Sequence, residues 1–188
     1  DNMARPDFDL LDLPPDPPSD GNAPILILYD CEFADFSQNA ELLSIALVAA
    51  DTDAQLYIEL SEALRTTSSD FVRKTVFPLF GRHNPEVLTR AAAAARILNW
   101  LDSLRYSTGL RPVVMVAGSP WDWHFFNGLF PMLPADLTAR LVWHLIEPVS
   151  LQQCNVTMER YYVEHGERHH ALVDARALKA GWLAARLL

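Results

Sequence analysis

The sequence predicts a mixed α/β sheet flanked by helices, and three observations predict it. Three strand-like runs stand close together near the start, at residues 25–31, 41–50 and 54–60. Helical and strand-like patterns then alternate to the end of the chain. One later run, "RPVVMVAGS", is apolar without interruption, as strands covered on both faces are.

Residues 1–24, "DNMARPDFDLLDLPPDPPSDGNAP", hold six of the 13 prolines and six aspartates. Such a composition cannot bury a core and is expected to form an acidic, proline-rich flexible tail. The folded domain is expected over 25–188. "ILILYDC" opens it as a strand, "ELLSIALVAA" follows as a second, and "AQLYIEL" as a third, with the Asp-rich "DTDA" as the turn. "SEALRTTSSDFVRKTVFPLF" reads as loops and short helices. "NPEVLTRAAAAARILNWLDSLRY" has the plainest helical pattern, with Asn84 as N-cap and Pro85 at its first position. "WDWHFFNGLF" begins a second helix, "ARLVWHLIE" reads as a strand, and "ALVDARALKAGWLAARLL" is an amphipathic helix.

At 188 residues, half of them hydrophobic, the chain has material for one sizeable core. Its longest apolar runs are too short to cross a bilayer, so no membrane partner is expected. The acidic start has no apolar leader segment, and no secretory signal is expected. Two cysteines make no disulfide framework, which points to a reducing, cytoplasmic setting. The net charge of −9 is uneven: residues 1–64 hold 14 acids and one base, Arg5, and the remainder is net positive. A broad duplex-gripping basic face is therefore not expected, whereas a short single strand held through bound cations is compatible.

Asp30 and Glu32 pose the sharpest question. On a strand they share a face, with Cys31 on the other. Two neighbouring carboxylates repel unless something positive lies between them. Ligands of α/β sheets gather at the carboxyl ends of strands, where Asp30 and Glu32 lie. Asp122 follows the apolar strand "PVVMVA" on the first turn of a helix. Asp174 stands near the head of the last helix, five residues after His169. Residues five apart on one helix differ by about 140° in direction, which places His169 on the preceding loop, turned back toward Asp174. Four hard carboxylates suit Mg²⁺ or Mn²⁺, and a neutral imidazole can take a proton from water. Two such cations stabilise both oxygens of an in-line phosphoryl displacement.

"DCE" on the first strand, "WDWHFF" at a strand-to-helix junction and "HHALVDA" at the head of a late helix resemble the three motifs of the DEDDh 3′–5′ exonucleases. Those motifs are D-x-E, a mid-chain Asp before aromatic residues, and H-x-A-x-x-D. "AELLSIALVAADTDAQLYIEL" and "FVRKTVFPLFG" are further similar to the bacterial RNase AS-type exoribonucleases. The resemblance covers residues 25–185. It implies an RNase H-like sheet, two divalent cations (Mg²⁺ or Mn²⁺), and release of nucleoside 5′-monophosphates from the 3′ end of single-stranded RNA. Its metal ligands fall on Asp30, Glu32, Asp122 and Asp174, and its general base on His169. A homodimer is the oligomeric state it suggests. Phe33, Ala34 and Asp35 replace the T-T-G that follows D-x-E in proofreading members, so the base preference does not carry over. Phe33, Trp121 and Trp123 are the candidates for stacking on substrate bases. The alternatives are a single-stranded DNA exonuclease with the same site, and a catalytically silent nucleic-acid-binding module, which would be expected to lack some of these five residues.

Overall fold

The computed structural model describes residues 23–65, 67–131, 137–141 and 148–185. The expected tail lies outside the described residues except for Ala23 and Pro24, whose carbonyls accept from the Arg111 guanidinium. Six strands form one sheet: β1 Ile25–Phe33, β2 Leu42–Ala49, β3 Gln55–Leu60, β4 Glu86–Leu88, β5 Val113–Ala117 and β6 Leu137–Leu141. Their spatial order is β4-β3-β2-β1-β5-β6. The first three pair antiparallel as a meander, while β4, β5 and β6 join parallel to β3, β1 and β5. Every residue of β2 and of β5 is buried, as the unbroken apolar run of β5 requires; β2 buries one polar residue, Ser44.

Helices α1 Arg90–Ser107 and α2 Pro120–Asn127 cover one face, and α3 Pro148–His165 and α4 Ala171–Ala185 the other. The alternation of β1 decides what goes where. Ile27, Tyr29 and Cys31 enter the core with Ile97 and Leu101 of α1 and Phe125 and Phe126 of α2. Leu26 and Leu28 pack instead with Cys154 of α3 and with Leu178 and Trp182 of α4. Asp30 and Glu32 continue that second row, so they emerge beneath α3 and α4.

Those two helices approach closely at Gly181. A Cβ there would lie 2.7 Å from Cys154 Sγ and 2.8 Å from its carbonyl oxygen. Even an alanine would force the helices apart.

Two elements differ from the sequence reading. Residues 84–88 do not begin the first long helix. Asn84 has a left-handed φ of 53°, and Glu86–Leu88 add to β3 as an edge strand. The helix starts at Arg90, capped by Thr89, whose hydroxyl accepts from the Ala92 amide. Pairing with an open sheet edge outweighs the local signal of Asn-Pro, and Glu86 anchors the new strand to α1 through a bidentate pair with Arg96. The second difference is α3, which the sequence reading left unassigned. Its Val, Thr and Asn residues dilute helix propensity, and packing against α4 stabilises it. The strand read from 139–147 is observed at Leu137–Leu141, and residues 142–147 lie outside the described residues.

Among the described residues no helix is long and apolar enough to cross a membrane. Cys31 and Cys154 are both free and buried.

Candidate metal and active site

Residues 25–29 of β1 pair with β5, which ends at Ala117, so β1 runs four residues further without a partner on that side. The site is built around this overhang. A register shift between Glu32 and Phe33 ends the regular pairing with β2, and such irregularities often re-aim side chains beside active sites. After β5 the chain turns at Ser119, whose hydroxyl caps α2 by accepting from the Trp121 amide at 3.1 Å. Asp122, on the first turn, then reaches the overhang: its Oδ1 accepts from the Cys31 amide at 3.2 Å. Asp122 is 3% exposed.

Asp30, Glu32 and Asp174 converge, each offering a carboxylate oxygen within 4.8 Å of the others. Asp122 stands outside this trio, with one oxygen committed to Cys31. It is still close enough to raise the pKa values of Asp30 and Glu32. All four are held above the ordinary carboxylate range. Burial is the largest cause for Asp30, followed by the charges of Asp122, Asp174 and Glu32. Burial also leads for Glu32, then Asp174 and Asp122. Asp122 is pushed up to about 7 by burial, against the lowering effect of the Cys31 amide and Ser119. Asp174 is pushed up to about 6 by burial, against the Tyr162 hydroxyl and the His169 amide.

Asp174 joins the cluster to the preceding loop. Its Oδ2 accepts from the His169 backbone amide at 3.1 Å. Its Oδ1 is buried without a hydrogen-bond partner among the described residues. An orphaned carboxylate oxygen in a crowd of mutually repelling carboxylates is what a divalent cation relieves. The donor set is all oxygen, which fits Mg²⁺ or Mn²⁺.

His169 lies on the loop before α4, as its offset from Asp174 requires. Its φ of 69° is left-handed, a conformation that costs a non-glycine residue about 1–3 kcal/mol and tends to mark functional positions. The half-buried ring meets Phe71 edge-on at 5.0 Å. Burial, then the Arg168 charge, lowers its pKa, so the imidazole is neutral at pH 7. Its link to the carboxylates is the backbone bond to Asp174. His170 points elsewhere: it is 2% exposed, with its ring 4.8 Å from Tyr57 and 4.9 Å from His83.

The three candidate stacking residues separate. Phe33 stacks on Phe125 at 4.5 Å and lies 6.0 Å from Trp121. Phe36, 58% exposed, meets Phe33 at 5.3 Å and extends this group to the surface. Trp123 instead stacks on Phe126 at 5.9 Å, and both tryptophans are partly buried against the same core. Of the cations near this end, Arg73 pairs with Asp70 and the Ser68 carbonyl. Sequence reasoning missed Phe36, Phe71 and Tyr162. Phe71 opens the quoted stretch "FVRKTVFPLFG" without a role attached to it, no motif marks Phe36, and Tyr162 belongs to helix α3, which the sequence pattern does not reveal.

No family model matches the chain, and no curated protein matches it. Among solved structures, the zinc ion bound form of the E. coli ExoI–ssDNA complex superposes on 87% of the chain with a TM-score of 0.51 and 13% identity. The chain spans 40% of the length of that structure. At this identity the likeness carries the fold, the RNase H-like mixed sheet with its flanking helices.

Proposed function

We propose that the protein is a divalent-metal-dependent 3′–5′ exonuclease of single-stranded nucleic acid, releasing nucleoside 5′-monophosphates. One observation carries this reading: Asp30 and Glu32 at the end of β1 and Asp174 at the head of α4 bring carboxylate oxygens within 4.8 Å of one another, with one Asp174 oxygen lacking a hydrogen-bond partner among the described residues and His169 on the adjoining loop. Asp30, Glu32 and Asp174, with Asp122 beside them, would hold two cations. Bound there, the cations supply neutralisation of the phosphate and stabilisation of the attacking and leaving oxygens. His169 accepts the proton of the attacking water, and burial keeps its ring in the neutral form this requires. The Phe33, Phe36 and Trp121 rings offer a surface on which the terminal base stacks. Two free cysteines accord with a cytoplasmic setting.

The sugar has two readings. Sequence resemblance to the RNase AS-type enzymes favours RNA. The solved neighbour is a complex with single-stranded DNA, and this comparison with a determined structure makes DNA the better supported substrate. Digestion of 5′-labelled single-stranded DNA and matched RNA, with Mg²⁺, Mn²⁺ or EDTA, decides between them. A ladder shortening from the 3′ end in metal alone supports the proposal. Cleavage that persists in EDTA, or endonucleolytic fragments, overturns it. The homodimer suggested by the resemblance is checked by the mass in solution.

A further inference from the structure

The loop that presents His169 is bolted to a second loop on the far side of β3. Glu167 Oε1 accepts from Arg82 at 2.5 Å, and its Oε2 meets His83 Nε2 at 2.6 Å. The next contact along is ring to ring, His83 against buried His170 at 4.9 Å. Both loops have left-handed backbone at non-glycine residues: Glu167 at 58° and His169 at 69° in one, His83 at 59° and Asn84 at 53° in the other. Such conformations persist only where surrounding contacts over-determine them. For the His169 loop, those contacts are the Glu167 clamp and the amide bond from His169 to Asp174.

We propose that Glu167 is a positioning residue for His169: by gripping Arg82 and His83 it holds the loop in the left-handed form that aims the His169 ring. The inference rests on the proposed nuclease reading for its catalytic consequence. The pairs are partly exposed, with Glu167 24% and Arg82 50% accessible, and exposed pairs add little to global stability. The clamp therefore acts on local order, and a role limited to holding the fold together would leave different traces.

The test uses Glu167→Ala, with Arg82→Met breaking the exposed side of the same clamp. Amide hydrogen exchange over residues 166–174 is measured in both, together with kcat and KM. Exchange at this loop should rise about tenfold or more, since local opening is reported by exchange. Misplacement of a catalytic group costs about 10–100-fold in kcat, with KM within about threefold. In a His169→Ala background, Glu167→Ala should change kcat by less than about threefold, because the two act as a unit. A full additional loss in that background, or unchanged loop exchange in Glu167→Ala, overturns the proposal. If the wild-type protein cleaves no nucleic acid, the nuclease reading fails, and the exchange measurement alone decides whether Glu167 holds the loop.

Discussion

The amide of Cys31 donates to Oδ1 of Asp122 at 3.2 Å, across 91 residues of chain. The bond closes the open side of β1 where β5 has already ended, and it brings a fourth carboxylate to the edge of the Asp30, Glu32 and Asp174 cluster. Asp122 thus serves both the sheet and the site. The two roles separate by substitution. Asp122→Asn keeps an acceptor for the buried amide and removes a buried charge, so in EDTA its urea midpoint should stay at or above that of wild type while nuclease activity is lost. Asp122→Ala strands the Cys31 amide and should cost about 1–3 kcal/mol in addition. Equal stability of the two variants would refute the bond's structural role.

The metal-free protein should lose stability as the pH rises toward neutrality. Asp122 and Asp174 have folded-state pKa values of about 7 and about 6, above their ordinary value of 3.8. A carboxyl raised in this way binds its proton more tightly folded than unfolded. Its stabilising effect is full below the unfolded pKa and is lost as the pH passes the folded one. Thermal melts in EDTA should show a higher Tm at about pH 5 than at about pH 7.5. Mg²⁺ or Mn²⁺ should raise Tm most at the higher pH, and Asp30→Asn, Glu32→Gln or Asp174→Asn should each abolish that rise along with turnover. A cation-induced rise of full size in any two of these variants would argue against a shared site.

His169 and His170 are neighbours with opposite surroundings. His169→Ala should lower kcat by about 10²–10⁴-fold, the usual worth of a general base. In the wild-type enzyme kcat should rise with pH through the His169 pKa, and this dependence should vanish in His169→Ala. His170→Ala removes a buried ring from Tyr57 and His83, so its effect should appear mainly in thermal stability, with kcat changed by less than about tenfold. If His170→Ala is the inactive variant, the assignment of the base is wrong.

The aromatic residues divide in the same manner. Phe33→Ala and Trp121→Ala should raise KM for short single strands, since stacking on a base is worth about 1–3 kcal/mol. Trp123→Ala should leave KM unchanged and lower the urea midpoint, because its ring rests on Phe126 of the core. Full core Trp truncations cost about 3–5 kcal/mol, and the half-burial of Trp123 brings the expected loss below that. A larger KM effect at Trp123 than at Phe33 would reverse the assignment.

The sequence by itself determined the strands and helices whose patterns are local. Period-two alternation put Asp30 and Glu32 on one face of β1, and the five-residue offset put His169 on a loop turned back to Asp174. An unbroken apolar run marked β5 as a strand covered on both faces. Only the tertiary structure decided what depends on partners distant in the chain. Residues 86–88 became a strand because β3 offered an open edge, overriding the Asn-Pro start signal. α3 is a helix because α4 covers it, with Gly181 allowing the close approach at Cys154. Trp121 and Trp123, two residues apart in one motif, take different ring partners, Phe33 and Phe125 for the first and Phe126 for the second, because only the packed core fixes which ring meets which. Glu167 has no motif at all. Its partners Arg82 and His83 lie 85 and 84 residues earlier, and a pairing at that distance exists only once the sheet has brought the two loops together.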